Sequence, residues 1–176
     1  MIMRPGQPLL LPASPLFIWG SLIAALMGNM LLNMGGMGRA AWLPDLLALT
    51  LVFWSVHQPQ RVSVGAAFAF GLAMDVHQTA LLGQHALAYT VLGFLAISIH
   101  RRLVWFPVTT QAVHVLPLFA VAQALVTGLR VLSGDLLPGW PVLMAPVLTA
   151  ALWPVASMVL LAPQRRAHDH DDNRPL

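Results

Sequence analysis

The sequence predicts an all-α integral membrane protein, with six transmembrane helices in one bundle. Three observations carry this. The 176 residues are 58% hydrophobic and only 9% charged, with mean hydropathy +0.75, whereas a soluble domain carries about 25% charged residues to wet its surface. Six apolar runs follow one another, separated by short turns that hold Gly, Pro or Arg. The arginines gather at alternate turns, as expected of a chain that crosses a bilayer repeatedly.

Residues 1–15 form an irregular cytoplasmic lead-in, because Pro5, Pro8, Pro12 and Pro15 interrupt any helix. Residues 16–34 are the first span; nineteen residues at ~1.5 Å each reach about 28 Å, enough to cross the hydrocarbon. The run is longer than a signal-peptide core and no clean small-residue cleavage site follows, so the expectation is a retained helix. Residues 42–56 are the second span. Pro44 suits a first helical turn, and Asp45 beside it faces the positive end of the helix dipole. Pro59 and Arg61 lie in the next turn. Residues 62–82 are the third span and 86–99 the fourth, closed by His100, Arg101 and Arg102. Residues 108–131 are the fifth, with Pro117 as its expected kink. Residues 140–161 are the sixth; its Pro141, Pro146 and Pro154 are tolerable where neighbouring helices satisfy the freed carbonyls. The transmembrane domain thus spans 16–162, and 163–176 is a polar tail expected to be disordered in the cytoplasm.

Six crossings put both termini on one side. With the N-terminus inside, Arg4, Arg61, Arg101, Arg102, Arg165, Arg166 and Arg174 are cytoplasmic, and only Arg39 and Arg130 are outside. Seven against two favours both termini in the cytoplasm.

An acid inside a hydrophobic span is costly and marks a site. Asp75 is such an acid. Two rows of small residues run along its span, Gly65-Ala69-Ala73 and Ala67-Gly71-Asp75, and spacing of this kind lets helices approach closely. Asp75 is therefore expected to face protein as a structural hydrogen-bonding group, with Asn29 or Asn33 of the first span as partners. The sharper alternative, a proton or substrate relay, needs several ionisable groups along a path, and only His77 and His85 are close in sequence. The first span has its own stripe, Gly20-Ala24-Gly28, beside those two amides. Arg61 is expected to reach lipid phosphate or the last carbonyls of the second span. Arg130 is expected to snorkel to the interface or pair with Asp135.

Several function classes drop out. All nine basic residues are Arg, all six acids are Asp, and there is no cysteine, so no disulfide, thiolate metal site or cysteine nucleophile exists. The scattered arginines make no nucleic-acid surface. The histidines form no close-spaced helical ligand pair, and no nucleotide-binding or nucleophile-elbow motif is present. The run His168 to Asp172 reads as a solvated tail before it reads as a metal site. An enzyme, a cofactor or a resident metal is not expected.

The residues resemble the MreD family of bacterial rod-shape-determining membrane proteins. The resemblance is carried by Pro44 and Asp45, by Trp54, and by the block Pro59-Gln60-Arg61-Val62-Ser63-Val64-Gly65. Phe68, Gly71, Asp75, Leu82-Gly83 and the run from Ala86 to Tyr89 continue it, with an echo at Leu152-Trp153-Pro154. The tail and the stretch from His77 to Ala80 depart from the family pattern. The resemblance implies a multi-pass protein of the bacterial inner membrane and a non-enzymatic scaffold of the elongasome. It implies MreC as partner, and through MreC the RodA glycosyltransferase, its penicillin-binding partner and, indirectly, MreB filaments. The implied fold is similar to the six-helix substrate-binding subunits of vitamin transporters, which leaves a small-molecule-binding transporter subunit as the alternative function. Asp75, Gly71, Arg61, Gly65, Pro44, Asp45, Trp54, Pro59, Asn29 and Asn33 are the structural or partner-binding candidates, with membrane lipids as further contacts.

Overall fold

The computed structural model describes residues 13–34, 42–78, 81–136 and 139–164. All regular structure among the described residues is helical. Residues 1–12 of the lead-in and the His-Asp tail lie outside the described residues, and Pro15, expected to interrupt a helix, instead opens one.

Helix α1 runs over Pro15–Met34. Ser14 caps it, accepting at Oγ from the Phe17 N–H at 3.2 Å, and Pro15 at the first position loses nothing by lacking an N–H. Helix α2, Leu46–His57, starts four residues later than the sequence reading placed it. The reason is Asp45: it takes an extended conformation (φ −90°, ψ 96°) and caps the Ala48 N–H, so Pro44 precedes the helix instead of opening it. Helix α3, Val64–Gln78, is shorter than expected, and α4, Gln84–Leu103, is longer at both ends. The Asp75 carboxylate moves the start of α4 forward by binding its first N–H groups, and His100, Arg101 and Arg102 occupy its last turn, where cations suit the dipole. Helix α5, Val108–Leu132, contains Pro117.

The sixth apolar run is broken. A 3-10 turn over Trp140–Leu143 leads into α6, Met144–Ala151, and α7, Trp153–Leu161, follows after Leu152. Pro154 accounts for the break: it supplies no N–H, and its ring would meet the carbonyl of Ala150 in a continuous helix.

Among the described residues, three helices are long and apolar enough to cross a membrane: α1, α5 and the composite over Trp140–Gln164. Helix α2 has twelve residues, or about 18 Å, short of a ~30 Å core. It is the centre of the bundle, with every residue from Leu47 to Val56 buried. Trp54 and Phe53 pack edge to face at 5.1 Å, and the Trp54 indole N–H donates to Ser21 Oγ of α1 at 2.8 Å. Trp153 meets Phe53 and donates to Gln111 Oε1 at 3.0 Å.

Of the two small-residue rows on α3, the structure selects one. Ala67, Gly71 and Asp75 are buried, whereas Gly65 and Ala69 are exposed. A Cβ on Gly71 would lie 2.4 Å from the Ala86 Cα, so glycine is what lets α3 and α4 touch backbone to backbone. The stripe on α1 packs only at Gly28, which is half-buried against Leu46; Gly20 and Ala24 are exposed, and the buried face is Ile18, Leu22, Leu26 and Asn29. Arg61 also differs from expectation. Its Nη1 donates to the Ala13 carbonyl at 3.0 Å, tying the turn before α3 to the entry of α1. The α2 carbonyls are not its target because Gln58 N–H already closes that helix on Trp54.

Candidate functional site

The polar side chains of the apolar bundle converge at one end, where α1 and α3 finish and α2 and α4 begin. Two aspartates organise them.

Asp45 connects four helices. Its Oδ1 accepts from Asn29 Nδ2 of α1 at 2.9 Å and from the Ala48 N–H of α2 at 2.9 Å. Its Oδ2 accepts from the Tyr89 hydroxyl of α4 at 2.6 Å. Its own N–H donates to Thr149 Oγ1 of α6 at 3.0 Å. Asn29 closes the arrangement by accepting the Leu46 N–H at 3.1 Å. Two of the first N–H groups of α2 are thus satisfied from side chains, which is what a helix start inside an apolar bundle requires.

Asp75 is fully buried. Its Oδ1 accepts from the His85 N–H at 2.7 Å and from His85 Nδ1 at 2.8 Å. Its Oδ2 accepts from the Gly83 N–H at 2.9 Å and the Ala86 N–H at 3.2 Å. The carboxylate therefore caps α4 from the neighbouring helix. Gly83 makes the approach possible with a positive φ of 102°. The expected partners Asn29 and Asn33 are engaged elsewhere: Asn29 serves Asp45, and Asn33 donates back to the Asn29 carbonyl at 2.8 Å. The helix start next door, with several donors at hand, outcompetes a single amide from α1.

Beside Asp45 lies a cavity of about 100 Å³, lined by Asn29, Asp45, Gln78, His85, Tyr89 and Arg130 among others. The His85 and Tyr89 rings meet edge on at 5.9 Å and link the two carboxylate networks. Arg130 Nη2 donates to Gln78 Oε1 at 3.1 Å, which joins the end of α5 to the end of α3. Among the described residues no group of three or more His, Cys, Asp or Glu side chains is placed to hold a metal ion.

A second feature is apolar. A groove of about 550 Å³ runs between α5 and the start of the sixth apolar run. Its floor is Ala120, Ala124 and Gly128, spaced four apart on α5, and its wall is Val142, Leu143 and Pro146. A Cβ on Gly128 would meet nothing within 4 Å.

A family model described as rod shape-determining protein MreD matches residues 13–161. The chain belongs to the MreD family. It is accordingly a membrane protein of the rod-shape-determining class, and its apolar helices fit that assignment. No solved structure matches the chain. Of the residues that carry the family resemblance, Asp45, Gly71 and Asp75 lie at the polar end or at the α3–α4 contact, where the candidate Asn29 joins Asp45. Trp54 lies in the core, Arg61 and Pro59 lie at the opposite end, and Gly65 is exposed. The sequence reading did not assign roles to Tyr89, Thr149 or Gln111. Two signals for Tyr89 were present: it ends the Ala86–Tyr89 run of the family resemblance, and it is the chain's single tyrosine, one helical turn after His85.

Proposed function

We propose that this protein is a non-enzymatic scaffold of the elongasome that helps maintain rod shape by holding the membrane span of MreC in the groove between α5 and α6. Through MreC it would connect to RodA, its penicillin-binding partner and MreB filaments. The supporting observation is the groove, whose floor of Ala120, Ala124 and Gly128 is lined almost wholly by apolar groups. Small residues four apart are the surface on which a second helix packs most closely in lipid. Six crossings of the inner membrane with both termini cytoplasmic complete the proposal, supported by the alternating arginine placement. The two aspartate networks then fix the helices that shape the groove, and neither is asked to do chemistry.

The rival reading, a vitamin-type binding subunit of a transporter, would place its ligand in the polar cavity. That cavity is about 100 Å³, whereas small-molecule sites of that kind run to roughly 300–1,000 Å³. The size favours a hydrated structural core.

The test is Gly128→Leu, which fills the groove without touching the fold, since space at Gly128 is open. The expected result is normal membrane abundance, loss of MreC on co-purification in mild detergent, and round cells in a rod-shape complementation assay. Normal rods with MreC still bound would refute the groove.

A further inference from the structure

We infer that the turn between α4 and α5 is a binding site for the phosphate of anionic phospholipids. Arg101 and Arg102 end α4 with both side chains exposed. Trp105, three residues on, is 89% exposed, more than any other tryptophan of the chain, and Val104 and Phe106 beside it are also exposed. Two adjacent guanidinium groups put two fixed positive charges at the level where lipid phosphates lie. An indole next to it belongs at the headgroup level, where its ring is amphipathic enough to sit between water and acyl chains.

The turn is held rigidly while it presents these groups. Leu103 is buried at 1% exposure. The Val104, Trp105 and Phe106 N–H groups bond back to His100, Arg102 and Leu103 carbonyls. The Phe106 carbonyl accepts from Gln111 Nε2 at 3.0 Å, and Gln111 in turn holds the Trp153 indole. Phe106 is stacked on His114 at 4.7 Å. The indole of Trp105 is therefore not loose for want of structure; it is displayed. No acid stands in the turn, where His100, Arg101, Arg102 and His114 supply the ionisable groups. Charge complementarity points to an anionic headgroup over a zwitterionic one. This site goes beyond the scaffold role and does not depend on which partner occupies the α5–α6 groove.

The experiment is native mass spectrometry of the full chain in mild detergent, titrated with phosphatidylglycerol or with phosphatidylcholine of the same chains. The wild type is expected to retain phosphatidylglycerol preferentially. Arg101→Gln with Arg102→Gln should weaken that retention about tenfold or more and leave phosphatidylcholine unchanged, and Trp105→Ala should weaken both lipids. Arg101→Lys with Arg102→Lys keeps the charge and should retain most of the binding, which excludes misfolding as the cause. Equal retention of the two lipids by the wild type would overturn the site, as would undiminished phosphatidylglycerol binding in the Gln pair or equal loss in the Lys pair. Displacement of phosphatidylglycerol by an equally charged acidic peptide would assign the turn to a protein partner and also overturn it.

Discussion

The Tyr89 hydroxyl donates a 2.6 Å hydrogen bond to Asp45 Oδ2 across 44 residues of sequence. It joins the first turns of α4 to the residue that caps α2, in a bundle whose core is mostly apolar. Asn29 and Thr149 reach the same aspartate from α1 and α6. One carboxylate thereby fixes the relative height of four helices, a role that apolar packing alone, being non-directional, performs poorly.

Removing this hub should be costly. Asp45→Ala leaves the Ala48 N–H and the Asn29 and Tyr89 donors without their acceptor and is expected to destabilise the bundle by about 2–4 kcal/mol. Asp45→Asn keeps one acceptor oxygen and should cost less. Tyr89→Phe removes one bond to a charged group and should cost about 1.5–3 kcal/mol. Thermal unfolding in mild detergent ranks the three; an Asp45→Ala protein as stable as the wild type would show the network to be incidental.

Asp75→Asn is expected to be almost as damaging as Asp75→Leu. Every partner of Asp75 is a donor: three backbone N–H groups and the His85 ring. An amide would turn its NH2 towards donors on one side, so only one oxygen can serve. Membrane abundance of the two variants measures the difference, and near-normal abundance of Asp75→Asn would show that the start of α4 does not need all four bonds to Asp75.

Two glycines give opposite predictions. Gly71→Ala forces a Cβ to 2.4 Å from the Ala86 backbone, and backbone does not yield as a side chain does. The α3–α4 contact should open, with a loss of stability beyond the usual 1–3 kcal/mol of overpacking. Gly128→Ala meets open space and should leave stability unchanged or raise it slightly. Equal melting temperatures for both variants would contradict the packing described for α3 and α4.

Much of this was legible in the sequence, and the limits have physical causes. The row Ala67-Gly71-Asp75 read correctly as a protein-facing seam, because small residues at a helical period have few other uses in a membrane. Its twin, Gly65-Ala69-Ala73, has the same pattern, yet Gly65 and Ala69 are exposed and only Ala73 touches the core; spacing cannot choose between faces. Asp75 was read as buried, but its partners depend on where α4 begins, and the carboxylate itself sets that beginning. Asp45 was read for its helix dipole, while its reach to Tyr89 and Thr149 exists only after α4 and α6 have packed. Pro154 is tolerable in a continuous sixth span by sequence alone, whereas the structure divides that run at Leu152.

The proposed topology predicts that a reporter fused at residue 36 is periplasmic and one fused after Leu176 is cytoplasmic. A periplasmic C-terminal reporter would remove the six-crossing arrangement.

The most direct measurement of the scaffold proposal is site-specific photo-crosslinking in growing rod-shaped cells. A photoreactive residue at Ala124 or Gly128, in the α5–α6 groove, should capture MreC through its membrane span, whereas one at exposed Ile23 of α1 should capture none. Crosslinks to MreC from Ile23 with none from Ala124 or Gly128 would contradict the account.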